Sequence, residues 1–289
     1  MFIHYNKRSL LPFYCTKIFV HFNYYPYFCS MIFYFSGTGN TRWAAERLAQ
    51  ETVEKLFFIP DEMKKGECKY ELQEGERLGF CFPVHGWQPP HIVREFIKHS
   101  DIIHQPSTFV YALVTCGDSI GRTMEMFDKD LKAKGLHLDS AFSLIMPESY
   151  VCLPFMYTDT PQREKEKISQ ASEDLNRYIE LIKERKTDEV HTQRGLTPWT
   201  FSHVIGAYFN RFMITDKKFT VDADQCIHCG KCEKACPTGD LLMKDGIPTW
   251  QHDGSCTNCL ACYHHCPKHA INYGSITRKR GQYFFKVNS

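Results

Sequence analysis

The chain has 289 residues, 43% of them hydrophobic and 24% charged, the profile of an ordinary globular protein with length for about two domains. Its 35 basic and 33 acidic residues leave a net charge of +2, so no basic surplus points to nucleic acid or to an anionic membrane. Of its 14 cysteines, Cys15, Cys29, Cys68, Cys81, Cys116 and Cys152 show no pairing pattern, which fits a reducing compartment such as the cytoplasm.

Residues 1–30 contain no acid, three basic residues and ten aromatics. Pro12, Pro26 and the charges at Lys7, Arg8 and Lys17 interrupt them, so no stretch approaches the ~20 apolar residues of a spanning helix. A clean signal-peptide core and cleavage site are missing too. The segment reads as an extension ahead of a start at Met31; a loosely docked tail and a membrane anchor are the alternatives.

From Met31 the pattern sharpens. Met31–Phe35 is an apolar run of buried-strand length, followed by Ser36-Gly37-Thr38-Gly39-Asn40-Thr41 and a helical pattern from Arg42 to Leu56. Strand, short glycine- and hydroxyl-rich loop, then helix is the layout of a phosphate cradle. Backbone N–H groups turn inward, hydroxyls add donors, and the helix dipole adds its positive end. The loop lacks both the Gly-x-Gly-x-x-Gly spacing and the Gly-Lys-Ser/Thr ending of other nucleotide loops. Taken alone, it could equally be a tight strand–helix connection.

Leu78–Phe82 reads as a second buried strand running into Pro83-Val84-His85-Gly86-Trp87, with a helix over 91–98. A third strand, Phe109–Thr115, ends in Cys116-Gly117-Asp118-Ser119-Ile120-Gly121; a helix to about Lys134 follows, with Gly135 as its C-cap. A last strand is expected in Ala141–Met146. After a loop over 147–160, Thr160-Pro161 starts a long amphipathic surface helix to about Lys186. Strands alternating with helices predict a parallel, doubly wound sheet, whose ligands sit beyond the carboxyl ends of the strands.

These elements resemble the flavodoxins. The resemblance implies that Ser36 to Thr41 hold the phosphate of FMN. It also implies that the loops 83–87 and 115–121, including Thr115, Cys116, Gly117, Asp118 and Gly121, flank the isoalloxazine ring. Trp87 is the candidate for stacking on that ring, or else an ordinary interface aromatic. His85 is either a polar loop residue or a proton donor, and Cys116 reads as a small buried filler rather than a nucleophile. The 115–121 loop departs from the family in offering no aromatic for the second flavin face. That leaves Tyr150, the C-terminal domain or an open face.

Residues 187–197 read as a polar linker. Beyond them Trp199, Phe201, Val204, Ile205, Tyr208, Phe209 and Phe212 recur at helical spacing, a stripe expected to dock the two domains together; lipid or a partner are alternatives. Then come Cys226-x-x-Cys229-x-x-Cys232-x-x-x-Cys236-Pro237 and Cys256-x-x-Cys259-x-x-Cys262-x-x-x-Cys266-Pro267, an internal repeat with a constant offset of 30. Each is the bacterial iron–sulfur run for a [4Fe–4S] cube, the fourth cysteine reaching across to the other cluster. On that rule Cys226, Cys229, Cys232 and Cys266 hold one cluster, and Cys256, Cys259, Cys262 and Cys236 the second. Structural zinc prefers two separated Cys-x-x-Cys pairs, and a disulfide framework would space its cysteines to close loops. Lys217–Gly274 resembles a two-cluster ferredoxin over its whole length. Arg278-Lys279-Arg280 belongs to a basic tail expected to be solvated.

The expected organisation is an extension (1–30), a flavodoxin-like FMN domain (31–186), a linker with docking helix (187–216), a small α+β domain with two [4Fe–4S] clusters (217–275) and a tail (276–289). The whole resembles the bacterial and archaeal flavodoxin–ferredoxin fusions. The function this implies is electron transfer to or from redox partner proteins in an anaerobe or a protected cytosol. Two alternatives are an FMN-dependent reductase fed through its clusters and a flavin-free docking module. No nicotinamide-binding fingerprint is present.

Overall fold

The computed structural model describes residues 30–286. The reading of the N-terminal extension lies outside them except for Ser30. That residue is buried: its hydroxyl accepts from the N–H of Arg77 (2.9 Å) and its carbonyl from Lys55 (2.8 Å). It therefore belongs to the first domain.

β1 (Met31–Tyr34) leads into α1 (Asn40–Thr52), β2 (Lys55–Phe58) and the short α2 (Ile59–Lys64). β3 (Lys69–Glu71) precedes β4 (Arg77–Pro83) and α3 (His91–His99), and β5 (Asp101–Ile103) pairs with β3 outside the main sheet. β6 (Phe109–Cys116), α4 (Thr123–Lys132), β7 (Ser140–Ile145), α5 (Pro161–Lys183) and β8 (Val190–His191) follow. The main sheet is parallel throughout, in the order β2-β1-β4-β6-β7-β8. Counting only its own strands, this is the 2-1-3-4-5 order of the flavodoxin-like doubly wound fold with one further edge strand. Every residue of β6 is buried, as a central parallel strand covered on both faces requires. One face packs Val93, Phe96 and Ile97 of α3 with Phe127 and Leu131 of α4; the other packs Ala44 and Leu48 of α1 with Leu175 and Ile179 of α5.

Two expectations are corrected. The first helix stops at Thr52, because Val53 turns left-handed (φ 56°); Leu56 belongs to β2, paired with β1. The segment read as a linker supplies β8, which extends the sheet beside β7.

α6 (Pro198–Thr200), a π-helical turn (Phe201–Ile205) and α7 (Gly206–Phe212) then run consecutively across the carboxyl ends of the strands. This segment docks through only part of the expected stripe, Phe201 against Trp87 and Phe209 against Tyr150. Trp199, Val204, Tyr208 and Phe212 are more than half exposed, whereas Ser202 and Phe209 are buried. The loops it meets present backbone carbonyls and glycines, which small and polar groups fit better than aromatic ones. Ser202 Oγ donates to Trp87 O (2.8 Å), and Asn210 Nδ2 to His85 O (3.1 Å). Gly206 lies so close to Gly86 that an added β-carbon would sit 2.2 Å from its carbonyl oxygen.

The C-terminal region is small and α+β: β9 (Phe219–Val221), α8 (Lys231–Ala235), β10 (Leu241–Lys244), β11 (Ile247–Trp250), α9 (Ala261–His264) and β12 (Ile271–Tyr273). β10 pairs with β11 and β12 with β9, both antiparallel. Among the described residues no helix is long and apolar enough to cross a membrane.

Candidate functional site

The repeat read from the cysteine spacing reappears in the backbone. His228 and Asn258, Gly230 and Leu260, and Gly239 and His269 are pairs 30 positions apart, and all six residues have positive φ. Successive left-handed turns aim backbone N–H groups into a concavity. The N–H of Asn258 donates to Cys256 Sγ (3.4 Å) and that of Ala270 to Cys266 Sγ (3.3 Å).

Cys226, Cys229, Cys232 and Cys266 line one small cavity; Cys236, Cys256, Cys259 and Cys262 line a second. These are the two sets expected from the spacing, each with three cysteines from one run and one from the other. Four thiols around each cavity suit a cube. Burial pushes the Cys232 and Cys259 thiols up to about 11 and Cys262 well above its ordinary value.

A larger cavity, about 1110 Å³ of open space, lies at the carboxyl ends of β1, β4 and β6. It gathers Ser36, Gly37, Thr38, Asn40 and Thr41 from the first loop, Pro83 to Trp87 from the second, and Thr115 to Asp118 from the third. Gly39 and Gly121 do not line it. Gly39 (φ 98°) caps α1 against Phe285, and Gly121 (φ 58°) makes room for Ser202 and Trp87.

The first loop has what a phosphate needs. Among the described residues the N–H groups of Gly37 to Thr41 donate to no protein acceptor, and they sit at the start of a 13-residue helix. Its side chains are otherwise engaged. Ser36 Oγ accepts from Arg42 N–H (3.2 Å), Thr41 Oγ1 meets Thr115 Oγ1 (2.7 Å), and Asn40 is held between Pro147 O and the hydroxyl of Tyr283.

Trp87 stands in the cavity wall with φ 57°, its Nε1–H on Ser119 Oγ (3.1 Å) and its ring against Phe201 (4.6 Å between centroids). The ring of His85 stands edge-on to Phe35, and burial lowers its pKa to about 4, so it is neutral at ordinary pH. Burial holds the Cys116 thiol protonated, in keeping with a filler.

The remaining wall comes from Tyr150 and the cysteine-rich domain, both weighed above for the second flavin face, and from Glu148, which the sequence did not signal. Tyr150 packs edge-on against Phe209 (5.2 Å). Glu148 lies over Gly117, where a β-carbon would collide with its carboxyl, and burial raises its pKa. Thr257, Asn258 and Cys259 reach the cavity from the cysteine-rich domain. Cys259 thus lines both this cavity and its own cluster cavity.

Two family models, each described as a 4Fe-4S dicluster domain, match residues 218–267 and 182–240. An uncharacterized ferredoxin of Methanocaldococcus jannaschii is 37% identical over 54 residues, 18% of this chain and 70% of the relative. The arsenate respiratory reductase iron–sulfur subunit of a Shewanella species is 33% identical over 67 residues, 22% of this chain; the match spans only 29% of that subunit. Among solved structures, the Trp repressor binding protein of Bacillus subtilis (15% identity, 51% of this chain and 98% of that one, TM-score 0.32) and the rubredoxin oxygen:oxidoreductase of Desulfovibrio gigas (14%, 52% and 36%, TM-score 0.29) are similar to the N-terminal part. The assignment of that part rests on its own strand order.

Fold and cysteine sets define the class: a redox protein joining a flavodoxin-like domain to an iron–sulfur domain. Through the latter, the chain belongs to the 4Fe-4S dicluster ferredoxins.

Proposed function

We propose that the chain is an electron-transfer protein in which FMN and two [4Fe–4S] clusters form one path between redox partner proteins. Cys226, Cys229, Cys232 and Cys266 hold an outer cluster, and Cys236, Cys256, Cys259 and Cys262 an inner one beside the flavin. Clusters pass single electrons and flavin holds one or two, so together they couple one-electron to two-electron donors and acceptors. The observation that carries the reading is Cys259, which belongs to the inner set and also walls the nucleotide cavity.

The chain's own residues supply the rest. The free N–H groups of Gly37 to Thr41 suit a phosphomonoester, which favours FMN. Tyr150, Phe209, Leu153 and Met156 give the cavity an apolar wall. Exposed Cys229 and Ile227 offer partners a route to the outer cluster. Cluster-bearing thiols need a reducing compartment, which favours the cytoplasm. A reductase with a small substrate is the second reading, favoured by Glu148 and Tyr150, which put two proton-holding groups on the same cavity.

Anaerobic reconstitution of the full chain, followed by extraction, tests the reading. It predicts about one FMN and about eight iron per chain. Eight iron without flavin, even after FMN is supplied, would overturn it.

A further inference from the structure

The inner cysteine set borders two openings of opposite sign. Cys259 lines the nucleotide cavity, whose charged lining residues, Asp118 and Glu148, are both acidic. Half-buried Cys236 lines a second, open groove that borders the same phosphate loop. Arg42, Lys64, Lys231 and Lys234 line that groove against one acid, Asp61. The whole chain is nearly balanced, with 35 basic and 33 acidic residues, so this concentration of positive charge is local.

The cations come from both domains. Arg42 lies on α1 and Lys64 on α2, whereas Lys231 and Lys234 lie on α8. The two walls meet at Lys64, whose Nζ is 3.8 Å from a β-carbon built on Gly239. Arg42 is paired with Glu46 (2.6 Å) and Lys64 more loosely with Asp61 (3.9 Å). Lys231 and Lys234 are exposed and have no acidic partner among the described residues. Like charges one turn apart on a helix repel, and a negative surface laid over them offsets that repulsion. Cations spread along two walls match an acidic surface better than a lone anion. The inner-set cysteine beside them gives such a surface a redox centre to meet.

We propose that this groove docks an acidic one-electron carrier protein, which exchanges electrons with the inner cluster at Cys236 without passing through the outer cluster. One electron leaves the reduced cluster and enters the oxidised carrier, or the reverse; no bond or proton changes hands. The inner cluster then faces the flavin through Cys259 and the carrier through Cys236. This inference deepens the electron-transfer reading and rests on it.

The test uses the full, iron-loaded chain, reduced anaerobically, with oxidised rubredoxin as the probe. Rubredoxin is a small acidic protein whose ferric colour bleaches as it takes one electron. Stopped flow gives the second-order rate at low and at high ionic strength. Two variants address the two walls: Lys231→Glu combined with Lys234→Glu, and Lys64→Glu. Each is expected to slow transfer about 10-fold at low ionic strength, and the difference should vanish at high ionic strength. Lys279→Glu, on the tail and outside the groove, should leave the rate unchanged. An uncharged quinone should oxidise every variant at the rate of the unaltered chain. Unchanged rubredoxin rates in the groove variants would overturn the proposal. Equal slowing with the quinone would overturn it too, because the loss would then lie in the cluster and not in docking. If the α8 variant loses iron, Lys64→Glu decides. An unaltered, iron-loaded chain that passes electrons to neither acceptor would overturn the electron-transfer reading itself.

Discussion

Gly37 of the phosphate loop and Cys259 of the inner cysteine set are in direct contact: a β-carbon added to Gly37 would lie 2.5 Å from Cys259 Cβ and 3.0 Å from its Sγ. Separations under 3.0 Å do not occur between real β-carbons, and neither neighbour is a flexible tip that could swing away. Gly37→Ala should therefore separate the turn from the loop. We expect at least 10-fold weaker flavin binding, measured by titration, with both cysteine sets still binding iron. Normal flavin affinity in Gly37→Ala would mean that the two domains give way at no cost.

The C-terminal tail is tied down where a solvated end was expected. Tyr283 is buried, its hydroxyl donates to Asn40 Oδ1 (2.7 Å), and Phe285 N–H donates to Thr38 O (2.8 Å) while its ring packs on Trp43. The tail thus braces the phosphate loop from behind. Tyr283→Phe leaves Asn40 Oδ1 buried and unpaired, a loss of about 1–3 kcal/mol. Its effect should appear as a lower denaturant midpoint and weaker FMN binding, and ending the chain after Gly281 should enlarge both.

Docking of α7 depends on buried Phe209 and on the small residue Gly206. Phe209→Ala empties the contact with Tyr150 and Gly86 and should cost about 3 kcal/mol in denaturant unfolding. Gly206→Val should be worse, because its side chain would meet the Gly86 carbonyl. Tyr208→Ser, on the outward face, should leave stability within about 0.5 kcal/mol.

His85 supplies a pH signature. Its folded pKa is lowered from 6.5 to about 4 by burial. The unfolded chain therefore takes up the proton first. The stability held by neutral His85 is complete above about pH 6.5 and declines as pH falls from there toward 4. Denaturant midpoints of His85→Gln should accordingly fall less than those of the unaltered chain over that interval, and the two should run parallel above pH 7. Parallel curves between pH 4 and 6.5 would contradict this, because a His85 with its ordinary pKa in the fold adds no pH dependence to stability.

What the sequence made legible was what local spacing encodes. The cysteine runs state both the ligand type and the exchange between sets, and the apolar run from Phe109 announces the strand expected over Phe109–Thr115. β2 was hidden because Leu56 and Phe57 continue the apolar rhythm of α1, and only the left-handed Val53 separates them. The docking face was only partly legible: Phe209 lies in the apolar stripe, but Ser202, Gly206 and Asn210, which meet the carbonyls of the neighbouring loops, carry no apolar signal. Thr257, Asn258 and Glu148 gave no signal at all. They are ordinary polar residues, brought to the cavity by contacts between domains far apart in the chain.

On the proposed function, electrons pass between the inner cluster and the flavin within one chain. Anaerobic rapid mixing with a one-electron donor, followed by freeze-quench spectroscopy, tests it most directly. The account predicts that the clusters are reduced first and that the flavin follows in a first-order phase independent of protein concentration. Flavin reduction whose rate rises in proportion to protein concentration would contradict it, because the electrons would then be moving between molecules rather than across the contact of Gly37 with Cys259.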